Sequence, residues 1–167
     1  MERINNSKTY LEDWAKGCQN CSIVSKYIEN VSKILHRDYK RLKCSQFDDI
    51  YAWDVDSYEK AKNKHHNEDT VDMVFALDYG DLLMVEAKLD VHNVDNLKGE
   101  VEAKIAHTRC YLLSSTNCKT IRPSVVLFGD KNFNQMYSRY RKMRSNKTDI
   151  IPMTLSSFYQ KYFSVDQ

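Results

Sequence analysis

Asp72, Glu86 and Lys88 are the residues whose types and spacing carry chemistry. They lie in two apolar segments, Val71 to Leu77 (VDMVFAL) and Leu82 to Asp90 (LLMVEAKLD), joined by Asp78-Tyr79-Gly80-Asp81. A three-residue loop of Asp78, Tyr79 and Gly80, with Gly80 in the left-handed conformation, pairs Leu77 with Asp81. Counting back, Met73 faces Val85 and Asp72 faces Glu86. Side chains alternate between the faces of a strand, so Glu86 and Lys88 share a face, and this register adds Asp72 to it. A two-residue Tyr79-Gly80 turn would slip the pairing by one and part the carboxylates, so the conformation of one glycine decides whether they meet.

Two carboxylates one cross-strand distance apart repel each other and lose water, a cost that a cation between them removes. Oxygen ligands select a hard ion, Mg2+ or Mn2+. A lysine two residues beyond the glutamate points at the same place, where it would orient or deprotonate a water or neutralise charge on a phosphate. The chemistry expected is phosphodiester hydrolysis. The plainer alternative is a wet hairpin with a surface ion pair, worth little. Against it, Met73, Val74, Phe75, Ala76, Leu82, Leu83, Met84, Val85 and Ala87 are apolar on both faces, the composition of a central, doubly covered strand pair.

Asp72 followed fourteen positions later by Glu86-Ala87-Lys88 across a turn resembles the signature of the PD-(D/E)xK, or restriction-endonuclease-like, nuclease superfamily. Val71 stands where the motif name has proline. The resemblance implies that Asp72 and Glu86 hold the metal, that the backbone carbonyl of Ala87 assists, and that Lys88 serves the nucleophilic water. It implies an α/β fold with a central mixed sheet flanked by helices and an α-β-β-β-α-β core. DNA is the first substrate expected from it. The cap-snatching RNA endonuclease branch of segmented negative-strand viral polymerases is the close rival. That branch adds a histidine from the helical lobe and an upstream acid, for which His36 and Asp54 or Asp56 are the candidates here, with His36 as a further metal ligand. A non-catalytic binding or regulatory module on the same fold is the third possibility.

The elements that position these residues follow from periodicity. Apolar residues from Ile23 to Leu35 predict a helix over 22–36, after a short one over 9–16. Residues 49–56 predict the first strand, the charged stretch 57–69 a loop or exposed helical turn, and 96–113 a helix with Val101, Ile105 and Leu112 inward. Ser124 to Phe128 reads as a buried strand, 132–144 as a basic helix, 150–153 as a strand and 156–163 as a last helix. With four glycines, two prolines and 167 residues, the chain is expected to form one domain, a helical part over about 1–45 and a sheet core over about 46–153.

On the helix after the hairpin, Lys104 stands near Glu100, His107 and Tyr111 and is a candidate phosphate contact. Arg139, Arg141, Lys142, Arg144 and Lys147, interleaved with Tyr137 and Tyr140, form a basic aromatic stretch suited to gripping a nucleic-acid backbone and stacking bases. A net charge of +2 excludes a dedicated nucleic-acid coat. Five cysteines, with Cys18 and Cys21 as the one CxxC, read as thiols of a reducing compartment and not as a zinc or iron–sulfur site. His65-His66 falls in a charged loop. No membrane-length apolar run and no signal-peptide core is visible, so an intracellular, cytoplasmic location is expected, without a membrane partner. Oligomeric state stays open, a dimer being required if one site per chain cuts both strands of a duplex.

Overall fold

A computed structural model describes residue 4 and residues 7–18, 24–62, 69–77, 80–91, 93, 97–115, 124–143 and 150–164. Its framework is one mixed sheet of six strands in chain order: β1 (Ile28–Asn30), β2 (Tyr51–Asp54), β3 (Met73–Ala76), β4 (Leu82–Lys88), β5 (Ser124–Phe128) and β6 (Ile150–Thr154). The first four pair antiparallel, while β5 runs parallel to β4 and β6 parallel to β5. Parallel neighbours need a crossover, and helices supply both. Helix α4 (Leu97–Ser115) links β4 to β5, and α5 (Phe133–Met143) links β5 to β6. The other α-helices among the described residues are α1 (Lys8–Lys16), α2 (Val31–Asp38), α3 (Val55–Lys62) and α6 (Leu155–Tyr162).

Both faces of the sheet are covered, which is why β3 and β5 are buried at every position and, apart from Ser124, apolar. On one face Trp53, Val74, Met84, Val126 and Phe128 pack with Leu11 and Ala15 of α1, Tyr58 of α3, Val101, Ile105 and Leu112 of α4, and Met136 and Tyr140 of α5. On the other, Ala52, Met73, Phe75, Val85 and Leu127 pack with Ile34 and Leu35 of α2 and with Leu155, Phe158 and Tyr162 of α6. The fold is α/β, with a mixed central sheet flanked by helices.

Two expected elements differ. The helix foreseen over 22–36 is interrupted: Ile28–Asn30 is edge strand β1, and the helix begins only at Val31. Asn30 is the reason, since its side chain accepts from the Lys33 N–H at 3.3 Å and caps α2 there. Ile28 packs on one face of the sheet and Val31, Ile34 and Leu35 on the other, so the chain crosses the sheet edge between them. Helical spacing alone does not reveal such a crossing. The charged stretch after β2 begins as a regular helix, α3, and Asp54 caps it by accepting from the Ser57 N–H at 3.0 Å. Cys18 is buried; Cys21 and the His65-His66 pair lie outside the described residues.

Candidate active site

The turn between β3 and β4 has the geometry on which the carboxylate pair depends. Gly80 has φ +79°, its N–H donates to the Leu77 carbonyl at 2.9 Å, and the Leu77 N–H donates to the Asp81 carbonyl at 2.8 Å. Asp78 and Tyr79 lie outside the described residues. The pairing that results runs from Ala76 opposite Leu82 to Met73 opposite Val85. One step further, Asp72 comes opposite Glu86. There the ladder changes character: the Ala87 N–H donates at 2.7 Å to Oδ2 of Asp72, a side chain standing in for a strand carbonyl. The segment entering β3 is fixed from the other direction by α4, where buried Thr108 accepts the Val71 N–H at 3.0 Å.

Glu86 is the centre of the cluster and is 1 % exposed. Its Oε1 takes two ammonium groups, Lys88 Nζ at 3.1 Å and Lys104 Nζ at 2.9 Å. Lys88 also donates to Glu100 at 2.6 Å. Glu100 and Lys104 reach the cluster because they are one turn apart on α4, beside the stripe of Leu97, Val101, Ile105 and Thr108 that faces the sheet. Glu86 Oε2 is buried and has no hydrogen-bond partner among the described residues. A buried anionic oxygen left in that state costs stability unless a cation takes it.

The electrostatics follow from burial. Asp72 is pushed up to about 7, first by burial and then by the neighbouring charge of Glu86, partly offset by the Ala87 N–H. Burial disfavours the charged form of Lys88, but Glu100 and Glu86 outweigh it and hold the ammonium above its ordinary value. Burial acts likewise on Lys104, and Glu86 outweighs it there too. Both lysines are therefore fixed cations. Held by Glu86 and Glu100, the Lys88 ammonium is placed to orient a water or to balance phosphate charge.

The donor set fits a hard divalent ion: two adjacent carboxylates, one with a bare buried oxygen and one whose ionisation near neutrality is resisted until positive charge arrives. The Ala87 carbonyl accepts from the Tyr39 hydroxyl at 2.8 Å, and a carbonyl has a second lone pair for a further partner. Among the described residues no group of three or more His, Cys, Asp and Glu side chains is gathered as a ligand set. Two carboxylates and a carbonyl are the smaller set expected here.

The structure brings Asp72, Glu86, Ala87, Lys88 and Lys104 together and leaves His36 elsewhere. His36 is exposed on α2, its Nε2 2.9 Å from the Leu42 carbonyl and 3.5 Å from Cys44 Sγ. The face of the sheet that α2 covers is the one opposite Glu86. Asp54 is taken by Arg37, at 2.7 Å, and by the cap of α3, while Asp56 pairs with Lys60. Arg139, Arg141 and Lys142 are exposed on α5, and Arg144 and Lys147 lie outside the described residues. Tyr140 is not a stacking platform: it is 2 % exposed and packs edge-on against Phe128. Tyr39 and Thr108 were not foreseen, and no local pattern marks either one.

No protein-family model, curated protein or solved structure matches this chain. The geometry of the cluster therefore carries the functional reading. No described helix is long and apolar enough to cross a membrane.

Proposed function

We propose that the protein is a divalent-metal-dependent nuclease of the PD-(D/E)xK kind, hydrolysing phosphodiester bonds with Asp72, Glu86 and Lys88. The observation that carries this is the bare, buried Glu86 Oε2 beside Asp72 in an otherwise apolar strand pair. The order of elements supports it, with strands β2, β3 and β4 antiparallel, then helix α4 and the parallel strand β5. Asp72 and Glu86 would hold Mg2+ or Mn2+ with the Ala87 carbonyl. When bound, such an ion polarises the phosphate and acidifies a water. Lys88, fixed as a cation by Glu100 and Glu86, orients the water and balances negative charge as it develops on phosphate. Lys104 holds Glu86 in place from α4.

DNA stands first as substrate, because His36 is turned to Leu42 and the extra ligand of the cap-snatching branch is not with the carboxylates. A second reading, a non-catalytic module on the same fold, has one observation in its favour: two ammonium groups, those of Lys88 and Lys104, already pair with Glu86 Oε1. One assay separates the readings. Wild type is incubated with matched single- and double-stranded DNA and RNA in Mg2+ or Mn2+, beside a folded Asp72→Asn variant. Cleavage by wild type alone is expected; none by either, or equal cleavage by both, overturns the nuclease assignment.

A further inference from the structure

Beyond the C-terminal ends of β4 and β5, on the end of β4 that carries Lys88, a cavity of about 790 Å³ opens. Tyr39 connects it to the cluster, since it lines the cavity while its hydroxyl holds the Ala87 carbonyl. The wall beyond Tyr39 is the loop Lys40-Arg41-Leu42-Lys43, whose three cationic side chains are exposed while Leu42 is half-buried. Lys131 adds a fourth cation from the turn after β5. Between them the surface is apolar, made by Leu42, Leu89, Val91 and Met136. The backbone itself is tight here, because a Cβ on Gly129 would stand 2.4 Å from the Leu89 carbonyl oxygen.

From this arrangement we infer that the cavity is the binding groove for one single strand of nucleic acid, leading its backbone to the carboxylate cluster. The inference rests on the nuclease reading for its direction and on the groove alone for its ligand. Phosphates are matched by the basic loop, and base faces by the apolar floor and the half-exposed Tyr39 ring. Three aspartates, Asp38, Asp90 and Asp130, also line the groove and repel phosphate from the strand ends. Asp90 and Asp130 follow β4 and β5, on the side where base edges would lie, and a carboxylate there accepts from a base amino group. Asp130 already receives the Ser156 hydroxyl at 2.7 Å, which fixes its orientation. The volume falls in the range, roughly 300–1,000 Å³, of pockets that enclose a small ligand. It therefore admits a short run of one strand with its bases inward and not the side of a duplex, whose bases are paired and stacked away.

Binding is measured without metal, so that it does not depend on turnover, by fluorescence anisotropy with labelled single-stranded DNA, single-stranded RNA and duplex DNA over a salt series. Lys40→Glu/Lys43→Glu tests the groove, and Lys16→Glu/Lys26→Glu, at two exposed lysines that do not line the cavity, is the control. The groove variant is expected to lose at least about tenfold in affinity for a single strand at low salt, with the salt slope shallower by about 1.4, roughly 0.7 for each phosphate no longer neutralised. The control variant keeps wild-type binding, and wild type binds duplex more weakly than either single strand. Equal binding by wild type and groove variant, or a preference for duplex, overturns the groove. Groove-dependent binding without cleavage would remove only the nuclease reading, and cleavage with unaltered binding only the groove.

Discussion

Asp72 is the residue of the cluster whose charge is least comfortable, and this makes it a reporter. Raised from its ordinary 3.8 to about 7 by burial and by Glu86, its carboxyl binds a proton more readily in the folded chain than in the unfolded one. Its contribution to metal-free stability is therefore complete below about pH 4 and is lost as pH rises through about 7. Asp72→Asn, which keeps an oxygen for the Ala87 N–H, should stabilise the metal-free protein at pH 8 and not at pH 4. At about 1.4 kcal/mol per pH unit, the gain is bounded by about 4 kcal/mol. Urea melts at the two pH values measure it; an equal effect at both contradicts the assignment. Lys88 gives the complementary expectation at this scale. Lys88→Met should leave Mn2+ uptake in place, since the ammonium binds Glu86 and Glu100 and is no metal ligand, yet lower turnover about 10²–10³-fold. If calorimetry shows that metal binding is lost together with turnover, Lys88 only supports the site.

At the scale of elements, the hairpin is what brings Asp72 to Glu86, and Gly80 sets its register. With φ +79°, an alanine there is strained by about 1–2 kcal/mol, although nothing lies within 4 Å of the added Cβ. Gly80→Ala should lower stability by that amount in urea denaturation, and Gly80→Asn by less, because asparagine tolerates the left-handed region better. Equal stability in all three would mean that the turn does not depend on this conformation. This hairpin was legible in the sequence because its register is set locally, by two continuous apolar runs, a turn glycine between them and three charged residues set into those runs. The edge strand β1 was not, since Ile28, Val31, Ile34 and Leu35 keep helical spacing while serving opposite faces of the sheet. Likewise the aromatic interleaving of α5 suggested a base-stacking face, but helical periodicity turns Tyr140 into the core beside Met136. Tyr39 meets Ala87 from forty-eight residues away and Thr108 meets Val71 from thirty-seven, distances at which only the folded chain sets the partner.

Across the whole molecule, the cluster stores a cost that a cation would release. Glu86 Oε2 is buried without a partner among the described residues, and Asp72 resists ionisation at neutral pH, so a divalent ion that binds the folded chain raises its stability by mass action. The most direct test is therefore the melting temperature of wild type and of Asp72→Asn/Glu86→Gln at pH 7.5, with and without Mn2+. At about a hundred times the dissociation constant, the ion should stabilise wild type by about 2.7 kcal/mol, seen as a shift of several degrees, and leave the double variant unmoved. A double variant that shifts as far as wild type, or a wild type that does not shift at all, contradicts the metal site at Asp72 and Glu86.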